Sequence, residues 1–121
     1  MELEKLRKYL LEKKATTEEL PFGPQALVFK VLGKMFALVA WESNPLRISL
    51  KCDPEHALAL RAIYNSVTSG SHLHKDHWNS VALDGSIPEK EILKMIDHSY
   101  ELVVKKLRKI DREKLKSSKS E

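Results

Sequence analysis

Residues 26–41, ALVFKVLGKMFALVAW, constrain the fold of this chain more than any other stretch. Two apolar runs, ALVFKVL (26–32) and MFALVAW (35–41), are joined by Gly33-Lys34. Both are rich in Val, Phe and Leu, and a two-residue link containing Gly is a tight-hairpin signal. ESNPL then turns the chain into RISLKC (47–52), which alternates strictly, Ile48, Leu50 and Cys52 against Arg47, Ser49 and Lys51. The reading is a three-stranded antiparallel meander. A two-residue turn at 33–34 puts Leu27, Phe29, Val31, Phe36, Leu38 and Ala40 on one face, joined by Ile48, Leu50 and Cys52. That face is apolar and needs helices to cover it. The other face then carries Lys30, Arg47, Ser49 and Lys51 beside Met35, Val39 and Trp41.

The flanking segments supply those helices. Residues 2–14 space Leu3, Leu6, Leu10 and Leu11 along one stripe, and Pro21, Gly23 and Pro24 then break the pattern. DPEHALALRAIYN (53–65) reads as a helix with Asp53 at the N-cap, Pro54 in the first turn, and Leu58, Ala62 and Ile63 in the buried stripe. Residues 66–76 read as loop, 77–83 as a strand closed by Asp84-Gly85, and 87–110 as a long helix. In that helix Ile92, Ile96, Tyr100, Val103, Leu107 and Ile110 recur every three or four residues. The order is α-β-β-β-α-β-α. It argues for an α+β fold, a single compact domain over 1–110 with helices on one face of an antiparallel sheet. Residues 111–121 are expected to fray as a basic, disordered tail.

The length of 121 residues suits one domain, and 42% hydrophobic with 31% charged residues suits a globular chain. No run of about 18 apolar residues exists, so no membrane span is expected. The N-terminus lacks a signal-like apolar stretch, so a cytoplasmic protein is expected; a monomer is expected as well. Cys52 is the single cysteine, which excludes an internal disulfide and a cysteine-cluster zinc site. The net charge of +4 is unevenly placed. Residues 105–121 hold eight Lys/Arg against three Asp/Glu, leaving thirteen against fourteen in 1–104. The body is near neutral, so a polyanionic partner must be argued from a local patch.

Three histidines, His72, His74 and His77, cluster in SHLHKDHWNSV (71–81), with Asp76 between them. They can converge on zinc only if a loop folds them together, and the spacing is not that of a helical pair. A polar loop with one histidine capping backbone groups is the ordinary explanation, and no metal is assigned. Cys52 falls on the expected core face, where a thiol is inert. Phosphate-cradling glycine motifs are absent. No catalytic residue and no cofactor are assigned, and the chain is not expected to be an enzyme. Lys30, Lys34 and Lys51 form the other constellation. Such lysines often only solubilise a turn or a sheet edge. Gathered on one face beside an aromatic, they can neutralise a nucleic-acid backbone.

The stretches LPFGP (20–24), FKVLGKMFAL (29–38), LKCDPEHALALR (50–61), HLHKDHWNSV (72–81) and SYELV (99–103) together resemble the successive signatures of the MmcQ/YjbR family. The resemblance spans about Thr16 to Leu107. It implies an α+β fold similar to that of type III secretion chaperones, and DNA binding through a double-wing arrangement of hairpins. The positions matching the family pattern are Lys30, Lys34 and Lys51 in the strands and His74, Lys75, His77, Trp78 and Asn79 in the loop. Ser71 stands where the family usually has an aromatic, His74 where it has Asn, and Asp76 where a basic residue is common. The expected function is therefore contact with the DNA phosphate backbone by these lysines, with His77 and Trp78 as the floor of the groove. The alternative is a protein- or peptide-binding adaptor that offers its sheet face to an apolar segment.

Overall fold

The computed structural model describes residues 1–70 and 73–117. A six-stranded sheet carries the chain, ordered β1-β2-β3-β4-β6-β5, with every neighbouring pair antiparallel. The strands are β1 (Thr16–Glu19), β2 (Ala26–Val31), β3 (Lys34–Ala40), β4 (Arg47–Lys51), β5 (Val67–Ser69) and β6 (Trp78–Ala82). The helices are α1 (Leu3–Leu11), α2 (Pro54–Ile63), α3 (Glu89–Lys105) and α4 (Lys109–Ser117). The α+β class, the meander β2-β3-β4 and the helices on one sheet face are as the sequence predicts. The observed order adds β1, β5 and α4. TTEE pairs with β2 as an edge strand although it lacks apolar residues, and VTS is a three-residue edge beside β6. Residues 109–117 are helical rather than frayed, because Leu115 is buried in the main core. Residues 118–121 lie outside the described residues.

α3 lies across β2, β3 and β4, and its buried Ile92, Ile96 and Val103 meet Phe29, Phe36, Val39 and Ile48. α1 adds Leu6 and Leu10 to the same core. Phe36 meets Tyr100 edge to face, with ring centroids 5.2 Å apart. Such stacking adds to plain area burial.

The hairpin between β2 and β3 resets the faces. Its turn is Leu32-Gly33, both at positive φ, and Val31 pairs with Lys34. Between Phe29 and Lys30 the register shifts, so that Phe29 pairs with Ala37 while Lys30 pairs with Met35. Phe36 is the extra residue of a β-bulge. Its carbonyl accepts the Ser99 hydroxyl at 2.6 Å, and the same Ser99 oxygen accepts the Lys51 N–H at 2.9 Å. Slipping a strand by one residue exchanges its faces. Ala37 and Val39 therefore turn to the core, and Leu38 and Ala40 turn outward. This corrects the expected placement of Leu38 and Ala40 inside and Val39 outside.

α2 also differs from expectation. Its packed stripe is Ala57, Leu60, Arg61 and Tyr64, whereas Leu58 and Ile63 are exposed. The helix sits on β5 and β6 through small Ala57, so the bulkier stripe faces solvent. Asp53 does occupy the N-cap, but its side chain makes no cap hydrogen bond; its carboxylate lies 3.6 Å from His98 Nε2.

Candidate functional site

The face of the sheet away from the helices holds a cleft of about 480 Å³. Its floor is Ala26 of β2, Leu38 and Ala40 of β3, Arg47 and Ser49 of β4, and Ser80 of β6. Cross-strand pairing aligns these residues: Ala26 with Ala40, Leu38 with Ser49, and Ser49 with Ser80. The floor is deep because four of its six side chains are Ala or Ser. The walls are Phe22 and Leu73, each carried by a loop.

The loop bearing Phe22 is shaped by Gly23, at φ +107, whose N–H bonds to the Leu20 carbonyl at 3.4 Å. Only glycine adopts that φ freely. The Trp41 indole N–H donates to the Pro24 carbonyl at 2.6 Å and ties the loop to the end of β3. Phe22 is 68% exposed and Leu20 53%.

The loop bearing Leu73 is held by Arg61 of α2. Arg61 Nε donates to Asn79 Oδ1 at 2.8 Å, and its Nη2 donates to the carbonyls of Lys75 and Trp78. Asn79, 2% exposed, also donates to the Ala57 carbonyl at 3.3 Å. Asn79 thus ties β6 to α2 from the helix side, and its side chain does not reach the open face.

The residues singled out from sequence separate into groups. Lys30, paired with Met35, and Lys51, which alternates with buried Leu50 along β4, both turn to the open face. Lys30 is paired with Glu19 at 3.1 Å. Lys34, paired with Val31 at the hairpin tip, projects toward the helix side and is exposed. Lys51 sits opposite Trp78; partial burial and then repulsion from Lys106 lower its pKa. Among the described residues Lys34, Lys51 and Lys75 have no carboxylate partner. His74 and His77 lie with ring centroids 4.9 Å apart, and His74 Nδ1 accepts the Asp76 N–H at 3.2 Å. His72 lies outside the described residues. Among the described residues no group of three His, Cys, Asp or Glu is placed to hold a metal ion. Burial, with the Asp53 charge behind it, pushes the Cys52 thiol up to about 11. It is a neutral thiol at physiological pH.

Arg61, Phe22 and Leu73 were not singled out from sequence. Phe22 carried a signal: a large apolar residue between Pro21 and Gly23 has no element in which to bury itself.

The comparisons with known proteins agree with this fold. The YjbR family model matches residues 11–102. The chain belongs to the YjbR family. It is 35% identical over 104 residues to YjbR of Escherichia coli (strain K12), covering 86% of this chain and 88% of that protein. It is 38% identical over 96 residues to YbdF of Escherichia coli O157:H7, covering 79% of each. Among solved structures, a Deinococcus radiodurans protein with a DUF419 domain superposes with a TM-score of 0.90 at 39% identity. That match covers 99% of this chain and 91% of the other. A Pseudomonas syringae protein superposes with a TM-score of 0.73 at 28% identity, over 84% of this chain and 98% of the other. The YjbR sheet in this chain therefore has one face under helices and one face holding a cleft. Among its described helices none is long and apolar enough to cross a membrane.

Proposed function

We propose that this chain is a non-catalytic binding protein, and that its cleft takes an apolar segment of a partner protein. The observation that carries this reading is the cleft of about 480 Å³ with Phe22, Ala26, Leu38, Ala40 and Leu73 in its lining. That volume falls in the usual range for ligand sites, about 300–1,000 Å³. Phe22 stands largely exposed at the lip, where a bound segment would cover it. Phe22, Leu38, Ala40 and Leu73 take the part that Met35, Val39 and Trp41 were expected to play in the peptide-adaptor alternative. The test is a fluorescent six-residue Leu/Val/Phe peptide titrated into the protein. Phe22→Ser should weaken binding at least tenfold, and raising the salt concentration should barely change it. Affinity unchanged by Phe22→Ser removes the cleft as the site.

DNA binding is the second reading, supported by the ammonium groups of Lys34, Lys51 and Lys75, which have no carboxylate partner among the described residues. Lys30, held by Glu19, contributes less than its position implies. His77 and Trp78 would floor the groove, with His74 beside them. Combined Lys34→Ala, Lys51→Ala and Lys75→Ala substitution should then reduce the salt slope of duplex binding by roughly 0.9 for each phosphate no longer neutralised. A duplex affinity that does not respond to the three substitutions rejects this reading.

A further inference from the structure

We infer that the ligand of the cleft ends in a carboxylate, and that Arg47, with Ser49 and Ser80, receives it. This rests on the cleft being the binding surface proposed above. Of the eight described residues lining the cleft, Arg47 alone is charged, and none is acidic. Its guanidinium donates to Thr68 Oγ1 at 3.4 Å, near the limit of a hydrogen bond, and has no carboxylate partner among the described residues. Ser49 and Ser80 pair across β4 and β6, and Thr68 pairs with Ser80 across β6 and β5. Three hydroxyls thus form a row across the sheet, with Arg47 two residues from Ser49 on the same face. Among the described residues the Ser49 and Ser80 hydroxyls have no hydrogen-bond partner.

A guanidinium offers donors in a planar fork that matches a carboxylate. An apolar segment seated between Phe22 and Leu73 over Leu38 would exclude water and strengthen that bond. A single cation with two hydroxyls balances a monoanion. A phosphate monoester carries nearly two charges and would call for a second cation; Lys30 is held by Glu19, and Lys51, two residues beyond Ser49 on the same face, is not among the described residues that line the cleft. The apolar lining with one guanidinium therefore fits the C-terminal residues of a partner chain, its free carboxylate on Arg47. A fatty acid presents the same chemistry. An arginine that merely solubilises the rim would show no preference for an acid.

The test needs no variant for its central comparison. A six-residue Leu/Val/Phe peptide with a free C-terminus is titrated against the same peptide as its carboxamide, and decanoic acid against decanamide. The free-acid peptide should bind about tenfold tighter than the amide, as expected for a charge-assisted hydrogen bond. Arg47→Gln should erase that difference, chiefly by weakening the free acid. Its backbone pairing with Ala40 and Ala82 does not depend on the side chain. Equal affinities of acid and amide in the unaltered protein overturn the carboxylate anchor and leave the cleft reading standing. Failure of all four probes to bind overturns the cleft reading and the inference together. An acid preference confined to decanoic acid overturns the partner C-terminus as the ligand.

Discussion

The two faces of one sheet differ less in polarity than in side-chain size. Toward the helices the strands present Phe29, Phe36, Val39, Ile48 and Val81, all essentially inaccessible. Toward the cleft the same strands present Ala26, Ala40, Ser49 and Ser80, with Leu38 and Arg47 the two large side chains among them. Large side chains interdigitate with α1 and α3 and close the helix side. Small ones on a twisted sheet leave a hollow that the chain itself does not fill. Burial stabilises the first face, and the second keeps its apolar surface available for another molecule.

The largest effect should come from breaking the filled face. Phe36→Ala removes a fully buried ring stacked against Tyr100 and should cost about 3–5 kcal/mol in urea unfolding. Leu38→Ala, next but one along the same strand and turned to the cleft, should cost about 1 kcal/mol, since little of the side chain's surroundings collapses. Equal destabilisation at the two positions would mean that the faces are not packed differently.

Ser99→Ala sharpens the comparison at the bulge that divides the faces. Ser99 is fully buried, and its hydroxyl satisfies both the Phe36 carbonyl and the Lys51 N–H. Leaving the two groups unpaired should cost about 1–3 kcal/mol. Hydrogen exchange should show the weakening concentrated at Lys51 and its neighbours in β4. Uniform weakening across the sheet would deny Ser99 that local role.

This bulge also explains where sequence reading stopped. Alternation in RISLKC is strict, and β4 has the faces it predicts. ALVFKVLGKMFALVAW is apolar at nearly every position, so either face of β3 satisfies the pattern. The choice was made by a hydroxyl from α3, more than sixty residues later in the chain. α2 carries two apolar stripes, and the one that packs was decided by Arg61 bonding to Asn79, an interaction between distant segments. β1 has no apolar signal because it is an edge strand whose Glu18 faces Arg7. The lysines were legible as exposed, but the pairing of Lys30 with Glu19 depended on β1. The cleft was illegible because a hollow is made of small residues, and Ala and Ser announce nothing by themselves.

Glu18 and Glu19 are adjacent in β1 and point to opposite faces. Glu18 bonds Arg7 of α1 through both carboxylate oxygens, at 2.6 and 2.7 Å, while Glu19 meets Lys30 on the open side. Both carboxyls are held below the ordinary value of 4.5, Glu18 chiefly by Arg7 and Glu19 chiefly by Lys30. A depressed folded pKa contributes stability above the unfolded pKa, which disappears as pH falls through the folded one. Glu18→Gln should therefore cost up to about 1 kcal/mol at pH 7 and progressively less below pH 4.5. Glu19→Gln should show a smaller effect, because its pair is more open to water. Thermal unfolding from pH 3 to pH 7 measures both. A larger effect at Glu19 would place the stabilising edge interaction on the open face.

The smallest effect belongs to an apolar surface that neither face covers. Leu58 is 64% exposed on the outer side of α2, on the stripe that sequence periodicity assigns to the core. Leu58→Glu keeps a good helix former and places its charge where water already reaches. Stability should change by no more than about 0.5 kcal/mol, the range of ordinary surface substitutions. Leu60→Glu, two residues on and against β6, places a carboxylate among packed side chains and should cost several times more. If Leu58→Glu is the more damaging of the two, α2 is turned the other way, and the Arg61–Asn79 hydrogen bond that holds the Leu73 wall cannot form. The orientation of this short helix is thus a condition for the cleft itself, since the loop that closes one side of it hangs from Arg61.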